Sequence, residues 1–333
     1  MRLTAFGGVS RRPILWPSAL ALTGALVMHA AQGAEITYPV KSIRLLVTNS
    51  AGSGADVVAR LVGRKLSETW GQQVVVDNRP GAGGNIGGEI AANAPPDGYT
   101  MLLVTSSNAI SSALFKKLNY DLLKDFSPVT LLGTAPFILV VNPSLAAGSV
   151  KDLIALAKSQ PGKLNYASSG TGSAVHLAAE IFKSMTGTNL VHVPYKGLGP
   201  ALTDLMGGQV QVAFAVSTAV VALAKAGRVK ALGVSSSERS PLVPDLPAMS
   251  ETIPGYEAIG WYGLTVPRGT PAAIIAKTNA DLTKAFSSPE SKEQLAALGA
   301  TPRATSPREF GVFMERKIEE YRKAVKSSGM SIE

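Results

Sequence analysis

Few residues of this chain could do covalent or metal chemistry. Cysteine is absent, and 333 residues hold three histidines, His29, His176 and His192. His176 and Glu180 stand four apart, a spacing that puts both on one helix face, as two metal ligands or a catalytic dyad would be placed. No third ligand is signalled elsewhere. The other reading of His176 is a first-turn residue that orients the loop before it. That loop, Ser168-Ser169-Gly170-Thr171-Gly172-Ser173, is rich in hydroxyls but is not the Gly-x-Ser-x-Gly elbow of a hydrolase. A periplasmic serine hydrolase drawing on residues 168–173 with His176 therefore stands only as an alternative.

Backbone donors are better represented than side-chain chemistry. Leu45-Leu46-Val47-Thr48-Asn49 reads as a buried strand, Ser50-Ala51-Gly52-Ser53-Gly54 as a turn, and Val57, Val58, Leu61, Val62 and Leu66 recur at helical spacing. A glycine-rich turn running into a helix start leaves N–H groups free beside a positive dipole end, so this junction favours a carboxylate or a phosphate. Residues 164–177 repeat the logic: a short strand, the turn Ser168, Ser169, Gly170, Thr171, Gly172, then a helix. Asp56 has two readings, an i, i+4 ion pair with Arg60 and a group that fixes the loop or ligand-bridging waters. Ser107 and Asn108, at the carboxyl end of a third strand, form a second ligand edge. Tyr195 and Lys196 follow Pro194 in a turn, either exposed or in contact with ligand.

The segment 77–89 invites comparison with nucleotide-binding loops. Neither register closes, because Ile86 stands where a third glycine belongs and no Gly-Lys-Ser/Thr follows. The segment instead reads as a glycine-rich loop packed beside the first strand's loop.

These loops need an alternating scaffold to position them. Strands are expected at 74–76, 101–104, 129–132, 137–141, 164–167, 190–193, 210–216, 229–234 and 256–266. Helices are expected from the first turn to about Trp70, at 150–159, after His176, to about Met206, at 219–226, and at 272–286, 291–297 and 307–327. The pattern is α/β. The break Gly133-Thr134-Ala135-Pro136 reads as a hinge into a second domain, and Gly260-Trp261-Tyr262 as a second hinge. Two crossings imply a clamshell that closes on its ligand.

The first residues carry Arg2, Arg11 and Arg12, then an apolar run from Ile14 to Ala31 and small residues at 31–34. This predicts a secretory signal peptide over residues 1–33. Cleavage follows Gly33, with Ala31 and Ala34 as alternatives, and Ser10-Arg11-Arg12 leaves Sec and twin-arginine export both open. Removing residues 1–33, which hold three arginines and no acid, takes the formal charge from +9 to +6. Without cysteine there is no disulfide framework and no lipidated terminus, and the exported protein is expected to be soluble in the periplasm. Dispersed charges without interleaved aromatics exclude a nucleic-acid surface, and no cofactor is expected.

Taken together, Tyr38-Pro39, the turn 52–60, the segment 74–87, Pro96-Asp97-Gly98-Tyr99-Thr100, His176-Leu177, Val193-Pro194-Tyr195-Lys196-Gly197 and Trp261-Tyr262-Gly263-Leu264 resemble the Bug family. These are periplasmic receptors of tripartite tricarboxylate transporters, and the resemblance covers essentially the whole chain after the signal. It implies a type II periplasmic binding protein fold, two Rossmann-like lobes with a hinge and an interdomain cleft, without enzymatic activity. Lobe 1 would comprise 35–136 plus 259–333, and lobe 2 would comprise 137–258. It also implies a protein that holds a small organic carboxylate and partners the transporter's membrane subunits; a monomer is expected, and a receptor reporting ligand to a signalling partner remains an alternative. The implied grip is backbone N–H groups and ordered water from residues 50–54 with Asp56, and from residues 168–172. Asn49, Ser53 and Ala55 depart from the family's usual loop. Ala215 stands where many members carry an acid, which argues against an amino-acid ligand.

Overall fold

Long apolar runs followed by glycine-rich turns build a mixed sheet with helices on both faces. The computed structural model describes residues 37–115, 117–328 and 330, so the expected signal peptide lies outside the described residues. In chain order the elements are β1 (Ile43–Val47), α1 (Gly54–Trp70), β2 (Val74–Asn78), α2 (Asn85–Ala92), β3 (Thr100–Thr105), α3 (Ser106–Leu114) and β4 (Phe126–Val141). There follow α4 (Val150–Ser159), β5 (Asn165–Ser168), α5 (Ala174–Thr186), β6 (Val191–Pro194), α6 (Leu198–Met206), β7 (Val212–Val216), α7 (Ser217–Lys225) and β8 (Lys230–Val234). The chain ends with β9 (Ile259–Pro267), α8 (Ala272–Ala285), α9 (Pro289–Ala297), β10 (Thr301–Pro302) and α10 (Pro307–Ser328).

The sheet order is β2-β1-β3-β9-β4-β7-β5-β6, with β8 and β10 also paired to β4. β1 runs parallel to β2 and β3, and β5 parallel to β6 and β7, as crossover helices require. β9 and β4 run antiparallel to their neighbours and join these two parallel halves. In the first half, Val58 and Leu61 of α1 and Leu282 of α8 cover one face, and Ile110 of α3 with Phe310 and Ile318 of α10 cover the other. In the second half, Leu153 of α4 and Phe182 of α5 oppose Leu202 of α6 and Val220 of α7. Burial on both faces is why β1 and β3 read as continuous apolar runs rather than alternating ones. Residues Tyr38–Glu333 form one compact unit.

Two expectations are corrected. The strands read at 129–132 and 137–141 are one 16-residue strand, β4, with no break at 133–136. Gly133 pairs with Tyr262 on one side and Pro302 on the other, and a Cβ at Gly133 would lie 2.8 Å from the Thr301 carbonyl oxygen. The glycine thus admits a neighbouring strand instead of ending its own. Ser106, Ser107 and Asn108 are not a loose strand end but the first turn of α3. Helix α2 and strand β10 had no counterpart in the sequence reading, because α2 opens on glycines and β10 is two residues long.

Candidate functional site

Two loops in different halves of the sheet share one construction. Before α1, Gly52 has φ +79° and Ser53 caps the helix, its hydroxyl accepting from the Asp56 N–H at 3.3 Å. Before α5, Gly172 has φ +80° and Ser173 caps the helix, accepting from the His176 N–H at 3.3 Å. In each, the glycine's own N–H is tied to the side chain four residues on. Gly52 donates to Asp56 Oδ2 at 2.8 Å, and Gly172 donates to His176 Nδ1 at 3.1 Å. Asp56 and His176 are thus equivalent pins that hold a Gly-Ser turn open, and both are buried. The N–H groups of Gly54 and Ala55, and of Ala174 and Val175, have no acceptor among the described residues, as the first turns of helices leave them.

Both readings of Asp56 hold at once, since Oδ2 also accepts from Arg60 Nε at 3.0 Å. Burial would raise its pKa, but hydrogen bonds from Arg60 and the Gly52 backbone hold it below the usual carboxylate range. Burial, then the neighbouring His192 and Lys183, push His176 down to about 3, so the ring is neutral and its Nδ1 is free to accept. His192 is lowered as well, chiefly by burial. Its ring stacks on His176 with centroids 3.9 Å apart, and its Nε2 lies 2.7 Å from Ser168 Oγ. Two neutral imidazoles therefore brace the 168–172 turn from behind.

A cavity of about 1070 Å³ lies where the loops meet. Of the residues expected at the site, Ser50, Ala51, Gly52, Ser53, Gly54, Ser107, Ser169, Gly170 and Thr171 line it. The structure does not bring Asp56, Asn108, Ser168, Gly172, His176 or Tyr195 to the cavity wall. Asp56, Ser168 and His176 are the braces just described. Asn108 is buried, its Oδ1 accepting from the Thr105 N–H at 3.0 Å and Thr48 Oγ1 at 3.2 Å, so it ties β3 to β1. Tyr195 donates to Asp204 at 2.7 Å; burial, then that carboxylate, push its pKa up to about 12. Its neighbour Lys196 does line the cavity and is the one charged side chain among the described residues that do.

Sequence reasoning missed several contributors to the wall, among them Gly81, Gly83 and Gly84 from the glycine-rich segment, Gly197 and Gly199 after β6, and Tyr262 from β9. A Cβ at Gly84 would lie 3.0 Å from Thr48 Cβ, which accounts for the glycine by close approach. The sequence marks Tyr262 as part of a hinge and of the Trp261-Tyr262-Gly263-Leu264 motif, and neither signal points to the cavity.

The serine hydrolase alternative loses its geometry. Ser168 is buried and engages His192 rather than His176, whose Nδ1 is occupied by Gly172. Among the described residues no group of three His, Asp or Glu side chains is placed to hold a metal ion.

Backbone donors at two helix starts, hydroxyls and one cation around a cavity define a small-molecule binding protein of mixed α/β architecture. A sequence profile described as "Tripartite tricarboxylate transporter family receptor" matches residues 58–330, and the chain belongs to that family of solute-binding receptors, which are not enzymes. It is 37% identical over 319 residues to protein BugT of Bordetella pertussis, covering 94% of this chain and 98% of that one. Among solved structures, Rpa4515 of R. palustris with adipate is similar, with a TM-score of 0.84, 36% identity and coverage of 88% of this chain and 99% of that one. So is MatC from Rhodopseudomonas palustris with bound malate, with a TM-score of 0.80, 32% identity and coverage of 86% and 100%. The fold is that of periplasmic binding proteins.

Proposed function

We propose that this chain is a periplasmic receptor that captures a small organic carboxylate and delivers it to the membrane subunits of a tripartite tricarboxylate transporter. The observation that carries this reading is the pair of matched helix starts, α1 and α5, whose free N–H groups meet at one cavity. A carboxylate satisfies donors of this kind and gains from both dipole ends. Lys196 adds positive charge, and no acid lines the cavity among the described residues, which favours ligands without an ammonium group. Adipate and malate, held by the two relatives, are carboxylates of this kind.

The mature protein acts as a monomer after removal of residues 1–33. Lobe 1 (35–136 plus 259–333) and lobe 2 (137–258) are joined where β4 and β9 run side by side, and bending there closes the cleft. Closure excludes water, which strengthens the hydrogen bonds that hold the ligand. Calorimetric titration of ligand-free protein with aliphatic dicarboxylates, tricarboxylates and aromatic acids tests the reading. Binding of at least one is expected, and no heat with any of them overturns it.

A further inference from the structure

We propose that Tyr262 is a ligand-binding residue, its phenol donating a hydrogen bond to the carboxylate seated on the first turn of α1. The inference rests on the carboxylate-receptor reading and assigns it a side chain.

The alternation of β9 decides where this ring points. Trp261 is pinned toward α10, its Nε1 donating to Tyr321 Oη at 3.1 Å and its ring edge-on to Phe310 and Phe313. Gly263 faces the same side, because a Cβ there would lie 2.1 Å from Phe310 Cζ. Tyr262, between them, must face the opposite side, where it packs in the cluster that contains Val47, Ala55 and Leu264. Its hydroxyl ends at the start of α1, 3.0 Å from where a Cβ on Gly54 would lie.

The hydroxyl is also uncommitted. The chain has eight tyrosines, and seven of them hydrogen bond through the hydroxyl within the protein, as Tyr38 does to the Gly98 carbonyl at 2.7 Å and Tyr256 to the Ala178 carbonyl at 2.9 Å. Tyr262 has no such partner among the described residues, although it is 8% exposed and lines the cavity. Its oxygen is not sealed in the core but opens on the cavity, so the hydroxyl is available to an acceptor seated there. Burial pushes its pKa up to about 12, so it keeps its proton and serves as a donor at any physiological pH. Gly54 and Ala55, whose N–H groups also lack an acceptor among the described residues, line the same cavity beside it. Free donors of both kinds at the start of α1 suit an anionic oxygen acceptor, and a carboxylate supplies two oxygens.

The test compares wild type and Tyr262→Phe by calorimetric titration, using each carboxylate of the panel that binds wild type. Phe keeps the ring and removes the donor, so affinity is expected to fall tenfold or more while the ligand-free Tm stays unchanged. Equal affinity in the two proteins overturns this assignment and leaves the receptor reading standing; no binding to wild type overturns both. If the variant does not fold, the tyrosine ultraviolet difference spectrum of wild type on ligand addition decides. A perturbed phenol band supports the assignment, and an unchanged band overturns it.

Discussion

Gly54 and His176 show how much a single residue carries here. Gly54 has little room, with the Tyr262 hydroxyl 3.0 Å from the position its Cβ would take. Gly54→Val should obstruct approach to the α1 donors and weaken carboxylate binding at least tenfold in a folded protein; unchanged affinity by calorimetry would show that the loop does not touch ligand. His176 is neutral when folded, its pKa moved from 6.5 to about 3. Between those values the unfolded chain binds more protons, so the contribution is complete above about pH 6.5 and is lost as pH falls toward 3. Scanning calorimetry should record a Tm lower by roughly 5 °C or more at pH 4.5 than at pH 7, and a shallower dependence in His176→Gln. A variant with the same slope as wild type would remove His176 from the explanation.

At the level of elements, the two Gly-Ser turns matter because they aim helix starts, and the caps that fix them are equivalent. Ser53→Ala and Ser173→Ala should each cost about 1 kcal/mol, read as a lowered urea midpoint, with a loss of affinity beyond what stability alone explains. A cap variant that binds normally would mean the turn is held by Asp56 or His176 alone. β9 is held more firmly. Gly263→Ala would drive a methyl into Phe310, buried between Trp261 and Phe313, and is expected to lower the Tm sharply or prevent folding. A Tm within a degree or two of wild type would show that α10 can move away from β9.

For the whole molecule, the join between the sheet halves is the informative place. β4 pairs with β9 over 126–136, with β7 over 137–141 and with β8 over 138–141, so one unbroken strand serves both halves. If bending there closes the cleft, small-angle scattering should give a smaller radius of gyration with saturating carboxylate; an unchanged radius would indicate a cleft already formed. Ligand at a hundred times its Kd should also raise stability by about 2.7 kcal/mol, seen as an upward shift in Tm.

The sequence by itself determined the local structure. The helix starts after the turns at 50–54 and 168–172, the end of α1 near Trp70 and the buried strands β1 and β3 were legible because glycine-rich turns and apolar runs are short-range effects, whereas the structure identified Ser53 and Ser173 as the caps. The turns at 50–54 and 168–172 were legible as anion-favouring for the same reason. Only the tertiary structure decided which of their residues reach the cavity. Asp56, Ser168 and His176 have polar types suited to ligand contact, yet the fold uses them behind the wall, because a positive-φ glycine N–H needs a buried acceptor. It decided that 133–136 continues a strand, since the partner that admits no Cβ, Thr301, is distant in sequence. It also decided the place of Tyr262, because the side that residue faces follows from how Trp261 and Gly263 pack on α10, a contact no local pattern encodes.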